Sequence, residues 1–480
     1  MDIRLKVLTA LSWTATARFI SQLFSWVITI VVIRLLSPSD YGLMAMAVFS
    51  LSFLYLLNTF GLDAVLVQKR DLDAITQRQV FGILILLNMF FFLLLFLAAV
   101  PIAKFFGEPR LVAIIRVLSF QFVVLIFETL PRAQLERQID FKNMSIVDLI
   151  TMMLGSLITL ILAFSGLGVW ALVFGSLTTV ATRTVGLNII APCWCWPSFS
   201  LRGMHQSISF GGFATVDRGL WFLFSEIDKF IGGKLLGKEL LGFYAVANHL
   251  ASLPITKVAS LINAVALPAF SQAQNDLEKV GSYLLKAVRV MSIVAFPIFL
   301  GMSSVAPELV ELFLGGKWRD ASLPLQILSL VMPLRMVSIL LPPLLWGVGQ
   351  PRVSATNHLI AAVTMSVAFY VGAGWGPAGL ALAWLSAYPL VFLVSVIRAL
   401  RVVELSAKSF MLAMARPALA SVGMYGTVMA AKAYPVVEMG TVAEFVSLVV
   451  LGALAYAVLA LLVNRPGIRE ALELFRRRQQ

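Results

Sequence analysis

Five cations stand where hydrocarbon is expected: Arg18, Arg218, Lys229, Lys257 and Arg335 each lie inside a long apolar run. A guanidinium in such a place grips a phosphate through two parallel hydrogen bonds and keeps its charge, while an ammonium supplies a point charge. The chemistry on offer is anion recognition. Polar side chains accompany the cations at helical spacing. Thr14, Arg18, Ser21, Gln22, Ser25 and Thr29 recur near i, i+4, i+7 and i+11 and form one stripe; Arg218, Ser225 and Lys229 repeat it, and His249, Ser252, Thr256, Ser260 and Asn263 make another. A cation turned to lipid at mid-span costs at least about 3 kcal/mol on insertion scales, and several would consume much of a protein's roughly 5–15 kcal/mol of stability.

Two arrangements satisfy these charges. In one they neutralise acids: Glu226 and Lys229 are three apart on one helix, and Asp217 and Asp228 share a face at eleven apart. In the other they line a water-filled cationic cavity between two lobes, with Arg18 and Arg218 facing each other, Lys229, Lys257 and Arg335 adding charge, and Thr14, Gln22, Ser25, Ser225 and His249 as polar lining. Asp217, Glu226, Asp228 and Glu128 are candidates to carry a coupling proton or Na⁺, and nothing in the sequence selects among them. Asp148 and Arg183 lie near span ends, where snorkelling to the interface is expected.

The elements that hold these groups are membrane helices. Of 480 residues 60% are hydrophobic and 13% charged, and the mean hydropathy is +0.92; a soluble surface requires far more charge. Runs such as 80–100 and 443–463 carry at most one ionisable group, and about 20 such residues cross roughly 30 Å of hydrocarbon. Apolar runs bounded by charge, Gly or Pro place fourteen spans near 11–36, 41–61, 79–100, 111–130, 144–164, 168–190, 206–231, 240–268, 282–305, 321–346, 355–372, 376–397, 413–433 and 441–463. With the N-terminus inside, inside segments hold twenty-one Lys and Arg and outside segments eight, so both termini are expected in the cytoplasm. The first span is read as a retained helix and not a signal peptide. The net charge of +13 is dispersed between spans, which argues against nucleic-acid binding.

The chain repeats itself. Without a gap, residues 18–47 align with 218–247 at nine identities in thirty, including Arg18 with Arg218, Gly42 with Gly242 and Ala47 with Ala247. An even number of spans per half makes the repeat parallel. The expected organisation is an N-lobe of six helices (1–205), a C-lobe of six (206–400), helices 13 and 14 (401–465) and a cytoplasmic basic tail (466–480). The tail reads either as a short amphipathic helix on anionic lipid or as a solvated positive segment. Prolines such as Pro254, Pro297, Pro333 and Pro389 fall within spans and favour bends suited to rocking lobes. Cys193 and Cys195, in APCWCWP, have no His or acid beside them to complete a metal site, and no phosphate-cradling Gly loop suggests ATP drive. No cofactor and no metal are expected.

At RLLSPSDYGLMAMA, PRAQLERQIDFKN, GLGVWALVFGSL, DKFIGGKLLGKELLGFYAVANHLASLPI and PELVELFLGGKWRDASLPLQILSL the chain resembles the bacterial polysaccharide flippases of the multidrug/oligosaccharidyl-lipid/polysaccharide exporter superfamily, and most of all the branch serving colanic acid and related exopolysaccharides. The resemblance covers roughly residues 1–400. It implies two six-helix lobes in a V around a central cavity, residence in the bacterial inner membrane, and a substrate of a few sugars on undecaprenyl pyrophosphate. It also implies work beside a polysaccharide polymerase and chain-length machinery, with H⁺ or Na⁺ as candidate coupling ions. Arg34, Asp40 and Gly42 would then be structural or gating residues. Two other classes are weighed. A cation-coupled multidrug exporter of the same fold would call for acids in the cavity, whose expected lining is basic. A membrane glycosyltransferase, ligase or polymerase needs a sizeable loop or domain, and the external segment 307–320 offers only Glu308, Glu311, Lys317, Arg319 and Asp320. The chain is accordingly not expected to be an enzyme.

Overall fold

A computed structural model of the chain describes residues 25–58, 74–138, 140–193, 195–199, 205–434 and 440–463, and among these every regular element is a helix. Among the described residues, seven helical stretches are long and apolar enough to cross a membrane, or eight if Arg110–Leu125 and Thr129–Arg137, bent by 45°, make one span. Large apolar side chains lie exposed along them, among them Ile189 (75%) and Leu97 (70%). In water that surface would aggregate; in a bilayer it meets acyl chains. The protein is an all-α polytopic membrane protein.

Residues 11–24 of the first expected span lie outside the described residues; the described parts of the expected spans are covered by helices, and two spans are interrupted in ways the apolar pattern does not announce. The span expected at 111–130 stops at Leu125 and resumes as Thr129–Arg137. The one at 321–346 divides into Ser322–Ser338 and Leu341–Gly347, where Pro342 and Pro343 open the second piece. His205–Gln272 is continuous except at Gly237, whose φ of 78° and ψ of −178° break it into 205–236 and 238–272. That conformation is open to Gly at little cost.

The repeat makes its first turn by two different means. In the first copy Ser37 and Asp40 form a capping box at the start of Pro38–Asn58: the Ser37 N–H and Oγ donate to Asp40 Oδ2 at 3.0 and 2.6 Å, and the Asp40 N–H donates to Ser37 Oγ at 3.3 Å. In the second copy the position equivalent to Ser37 is Gly237. The two turns pack reciprocally. A Cβ on Gly42 would overlap the Lys238 carbonyl, and one on Gly242 would overlap the carbonyl of Pro38, the residue equivalent to Lys238. Both helix starts therefore need glycine so that backbone can meet backbone. Asp40 also accepts from the Val169 N–H at 3.0 Å, which places a carboxylate at the start of Val169–Ile190.

By contacts the chain separates into two compact units, one running to Phe222 and including Gly237–Gly242, the other made of Leu223–Leu236 and everything after Phe243. The first unit is cored by clusters such as Ile28, Val32, Leu36, Ala163 and Ala171. The second is built on large buried rings, Trp318, Trp384, Tyr244, Phe299 and Phe369. The last two helices, Ala407–Ala433 and Thr441–Val463, belong to it through Val305, Val428 and Leu448. Lys432 holds the end of Leu277–Ser304, donating to the Ser304 carbonyl at 2.5 Å and to Glu308 Oε2 at 2.6 Å.

Candidate functional site

The second unit gathers four of the charges read within spans, Glu226, Asp228, Lys229 and Arg335, on neighbouring helices. Helix 205–236 delivers Glu226, Asp228 and Lys229, the helix after Gly237 delivers Tyr244, Ser322–Ser338 delivers Arg335, and Gly376–Val402 delivers Trp384 and Tyr388. Asp228 is fully buried. Its Oδ2 accepts from the Tyr244 hydroxyl at 2.6 Å and its Oδ1 from the Lys229 N–H at 2.7 Å. The Tyr244 oxygen in turn accepts from Trp384 Nε1 at 2.9 Å. On the indole face rests the Arg335 guanidinium, 4.1 Å from the ring centre, a geometry in which the cation is attracted to the ring quadrupole. Phe224 closes the aromatic wall, edge-on to Trp384 at 5.5 Å and stacked on Tyr388 at 5.9 Å. Tyr388 donates to Ser338 Oγ at 2.8 Å.

Lys229 Nζ is ion-paired with Glu226 Oε2. Arg335 acts electrostatically on both Glu226 and Tyr244. Glu226, Asp228, Lys229 and Arg335 together carry no formal net charge, so this part of the expected cationic lining is balanced by its own acids. His249 is exposed on the following helix, within Coulomb reach of Lys229. Ser225 is buried, and its Oγ has no hydrogen-bond partner among the described residues.

The other candidates fall elsewhere. Asp217 is buried and Arg218 exposed, both in the first unit. Ser25 is half-buried at the start of Ser25–Leu35. Glu128 sits at the bend before Thr129–Arg137, with Arg132 Nη1 at 3.8 Å and Arg183 Nη1 at 4.0 Å from its Oε1. Arg183 and Asp148 do not snorkel independently: Arg183 Nη2 and Nε donate to Asp148 Oδ1 at 2.8 and 3.1 Å, because the adjacent helices Phe141–Phe164 and Val169–Ile190 bring them face to face. Thr14, Arg18 and Gln22 lie outside the described residues, as do the side chains of Lys257, Ser260 and Asn263.

Two contributors to the Asp228 cluster were not singled out from the sequence, and neither was Arg116 of the first unit. Tyr244 and Trp384 gave no signal, since an aromatic in an apolar helix reads as packing. Arg116 did give one, being an ionisable residue within Arg110–Leu125. The segment 191–199 packs on the start of Ala74–Phe106: Arg78 Nε donates to the Trp196 carbonyl at 3.0 Å, and the Ser198 N–H to the Arg78 carbonyl at 2.8 Å. There Cys193 and Cys195 are free thiols lining an apolar cavity of about 430 Å³ with Phe81, Phe127 and Leu130. Burial pushes both thiols above their ordinary pKa.

Comparison with known proteins gives concordant results. The model of a family described as "Polysaccharide biosynthesis protein" matches residues 31–323. The lipopolysaccharide biosynthesis protein WzxC of Escherichia coli (strain K12) is 24% identical over 78% of this chain and 76% of its own length. The succinoglycan biosynthesis transport protein ExoT of Rhizobium meliloti (strain 1021) is 28% identical over 75% and 73%. Among solved structures, the lipid II flippase MurJ in an inward closed conformation superposes with a TM-score of 0.75 at 13% identity, covering 95% of this chain and 99% of that one. An inward-facing MATE-family multidrug resistance transporter gives 0.61 at 16% identity, covering 81% and 96%. At such identities these structures establish the fold.

Proposed function

This chain belongs to the polysaccharide biosynthesis protein family, and from that premise we propose that it is a polysaccharide flippase of the multidrug/oligosaccharidyl-lipid/polysaccharide superfamily, and propose what it carries and how. It moves undecaprenyl-pyrophosphate-linked oligosaccharide repeat units across the bacterial inner membrane by alternating access, for exopolysaccharide or lipopolysaccharide synthesis. The observation that carries the reading is extent: relatives named for lipopolysaccharide and succinoglycan biosynthesis match over about three-quarters of their length, and the fold runs through 99% of a lipid II flippase. A polysaccharide polymerase and chain-length machinery would take the product.

The pyrophosphate is the part of such a substrate that needs protein cations. Arg18, Arg218, Lys257 and Arg335 are the cations proposed for it, on the charge each carries within an apolar run. Lys229 is held by Glu226 and is available to a phosphate only when that pair opens. A proton on Glu226 opens it, which couples proton entry to substrate grip. Asp228, fixed by Tyr244 and the backbone, holds the shape of the cluster. Reconstituted vesicles test both assignments: Arg218→Ala with Arg335→Ala should abolish transfer of a lipid-pyrophosphate oligosaccharide, and Glu226→Gln should transfer at a rate indifferent to an imposed proton gradient. Full transfer by the double variant would defeat the anion assignment, and a preserved gradient response would defeat the coupling.

The acids of this cluster favour a second reading, a cation-coupled multidrug exporter, because half-buried Glu226 and buried Asp228 would suit an organic cation once Lys229 is displaced. Extrusion of such a cation, abolished by Glu226→Gln, would support it over the first.

A further inference from the structure

The helical hairpin of Ala74–Phe106 and Arg110–Leu125 carries charge that the proposed transport does not use. Arg116 sits six residues into the second helix, about 9 Å along its axis. Its guanidinium lies 4.8 Å from the centre of the Phe96 ring, and its Nε is buried without a hydrogen-bond partner among the described residues. Between residues 74 and 125 the chain has one acid, Glu108, and that acid is committed: Lys238 Nζ donates to it at 2.9 Å. Lys104 and Arg110, at the same end of the hairpin, are both exposed. Three cations thus share one end of a hairpin whose only acid is taken. The surface around Arg116 is apolar and open, with Phe92 packed on Phe120 at 5.0 Å and on Phe96 at 5.7 Å, and with Leu97 at 70%, Leu93 at 50% and Phe120 at 48% exposure.

We propose that this face binds an anionic phospholipid, its phosphate held by Arg116 and steered by Lys104 and Arg110, its acyl chains lying on Phe92, Leu93, Leu97 and Phe120. The guanidinium fork matches a phosphate, the Phe96 ring holds the fork in place, and the pairing removes the cost of an uncompensated cation in hydrocarbon. The charge distribution puts this end of the hairpin outside, so the lipid belongs to the outer leaflet. The inference needs only that the chain spans a membrane, and it stands apart from the substrate reading.

Native mass spectrometry of the purified full chain, exchanged with phosphatidylglycerol or phosphatidylcholine of identical acyl chains, tests it. The wild type should retain phosphatidylglycerol about tenfold better, the worth of one charge-assisted contact. Arg116→Met should bring the ratio near one, and Arg116→Lys should keep part of it. Should Arg116→Met not fold, Phe96→Leu is expected to cut the preference about threefold. Equal retention of the two lipids by the wild type, or a preference that survives Arg116→Met or Phe96→Leu unchanged, overturns the proposal. So does displacement of phosphatidylglycerol by an equimolar lipid pyrophosphate, which would assign the site to the transported lipid.

Discussion

Tyr244 is the residue on which the buried cluster turns. Its hydroxyl donates to Asp228 and accepts from Trp384, so Tyr244→Phe strands a carboxylate oxygen and an indole N–H together. A buried polar group left unpaired costs about 1–3 kcal/mol, and the variant should melt earlier than the wild type in detergent. An unchanged melting temperature would mean that the network carries no such weight. Outside the spans, Cys193 and Cys195 give a pH test. The reactive species is the thiolate, and burial shifts both thiols upward. Labelling by a maleimide at neutral pH should therefore be slower than for a free cysteine and should accelerate only at a more alkaline pH than the free thiol requires; a rate at neutral pH equal to the free thiol's would contradict the burial of this segment.

At the scale of the element, the last helix has a role that its composition did not suggest. Pro297 lies inside Leu277–Ser304 and lacks the N–H that would meet the Ile293 carbonyl one turn back. Tyr456 supplies the missing donor, its hydroxyl reaching the Ile293 oxygen at 2.9 Å. Tyr456→Phe should lower stability by about 1–2 kcal/mol, read as a lower melting temperature, whereas substitution of the exposed Val458 should have no such effect; equal melting for both would remove the helix from this role. The same contrast explains what was legible in the sequence. Helical stretches could be read because apolar runs, Gly and Pro mark them directly. The bend at 126–128 could not, because the run QFVVLIFETL holds neither Gly nor Pro to mark a break, and Glu128 there read as one more intramembrane charge. Intramembrane charges were visible one by one, and Glu226 with Lys229 could be matched because a helix sets neighbours at i+3. Asp228's partners could not, since Tyr244 lies beyond the Gly237 break and Trp384 a further 140 residues on. Pairing across such distances is set by tertiary packing, which leaves no local periodicity to read.

For the whole molecule, the repeated turn at Ser37 and Gly237 is the feature that composition alone would have hidden. Two copies of one segment keep Gly42 and Gly242 but end the preceding helix differently, one with a capping box and one with a left-handed glycine. The conserved need is close backbone contact, and the capping chemistry was free to diverge. The fold is shared with a lipid II flippase and with a MATE-family multidrug resistance transporter, so the substrate has to be settled by transport and not by fold. The most direct measurement is transfer of a lipid-pyrophosphate oligosaccharide in vesicles containing the purified wild-type chain, scored as protection of the sugar from an external glycosidase. Protein-dependent transfer for which soluble organic cations do not compete is the expected result. No transfer under an imposed proton or Na⁺ gradient, together with extrusion of an organic cation by the same vesicles, would contradict it.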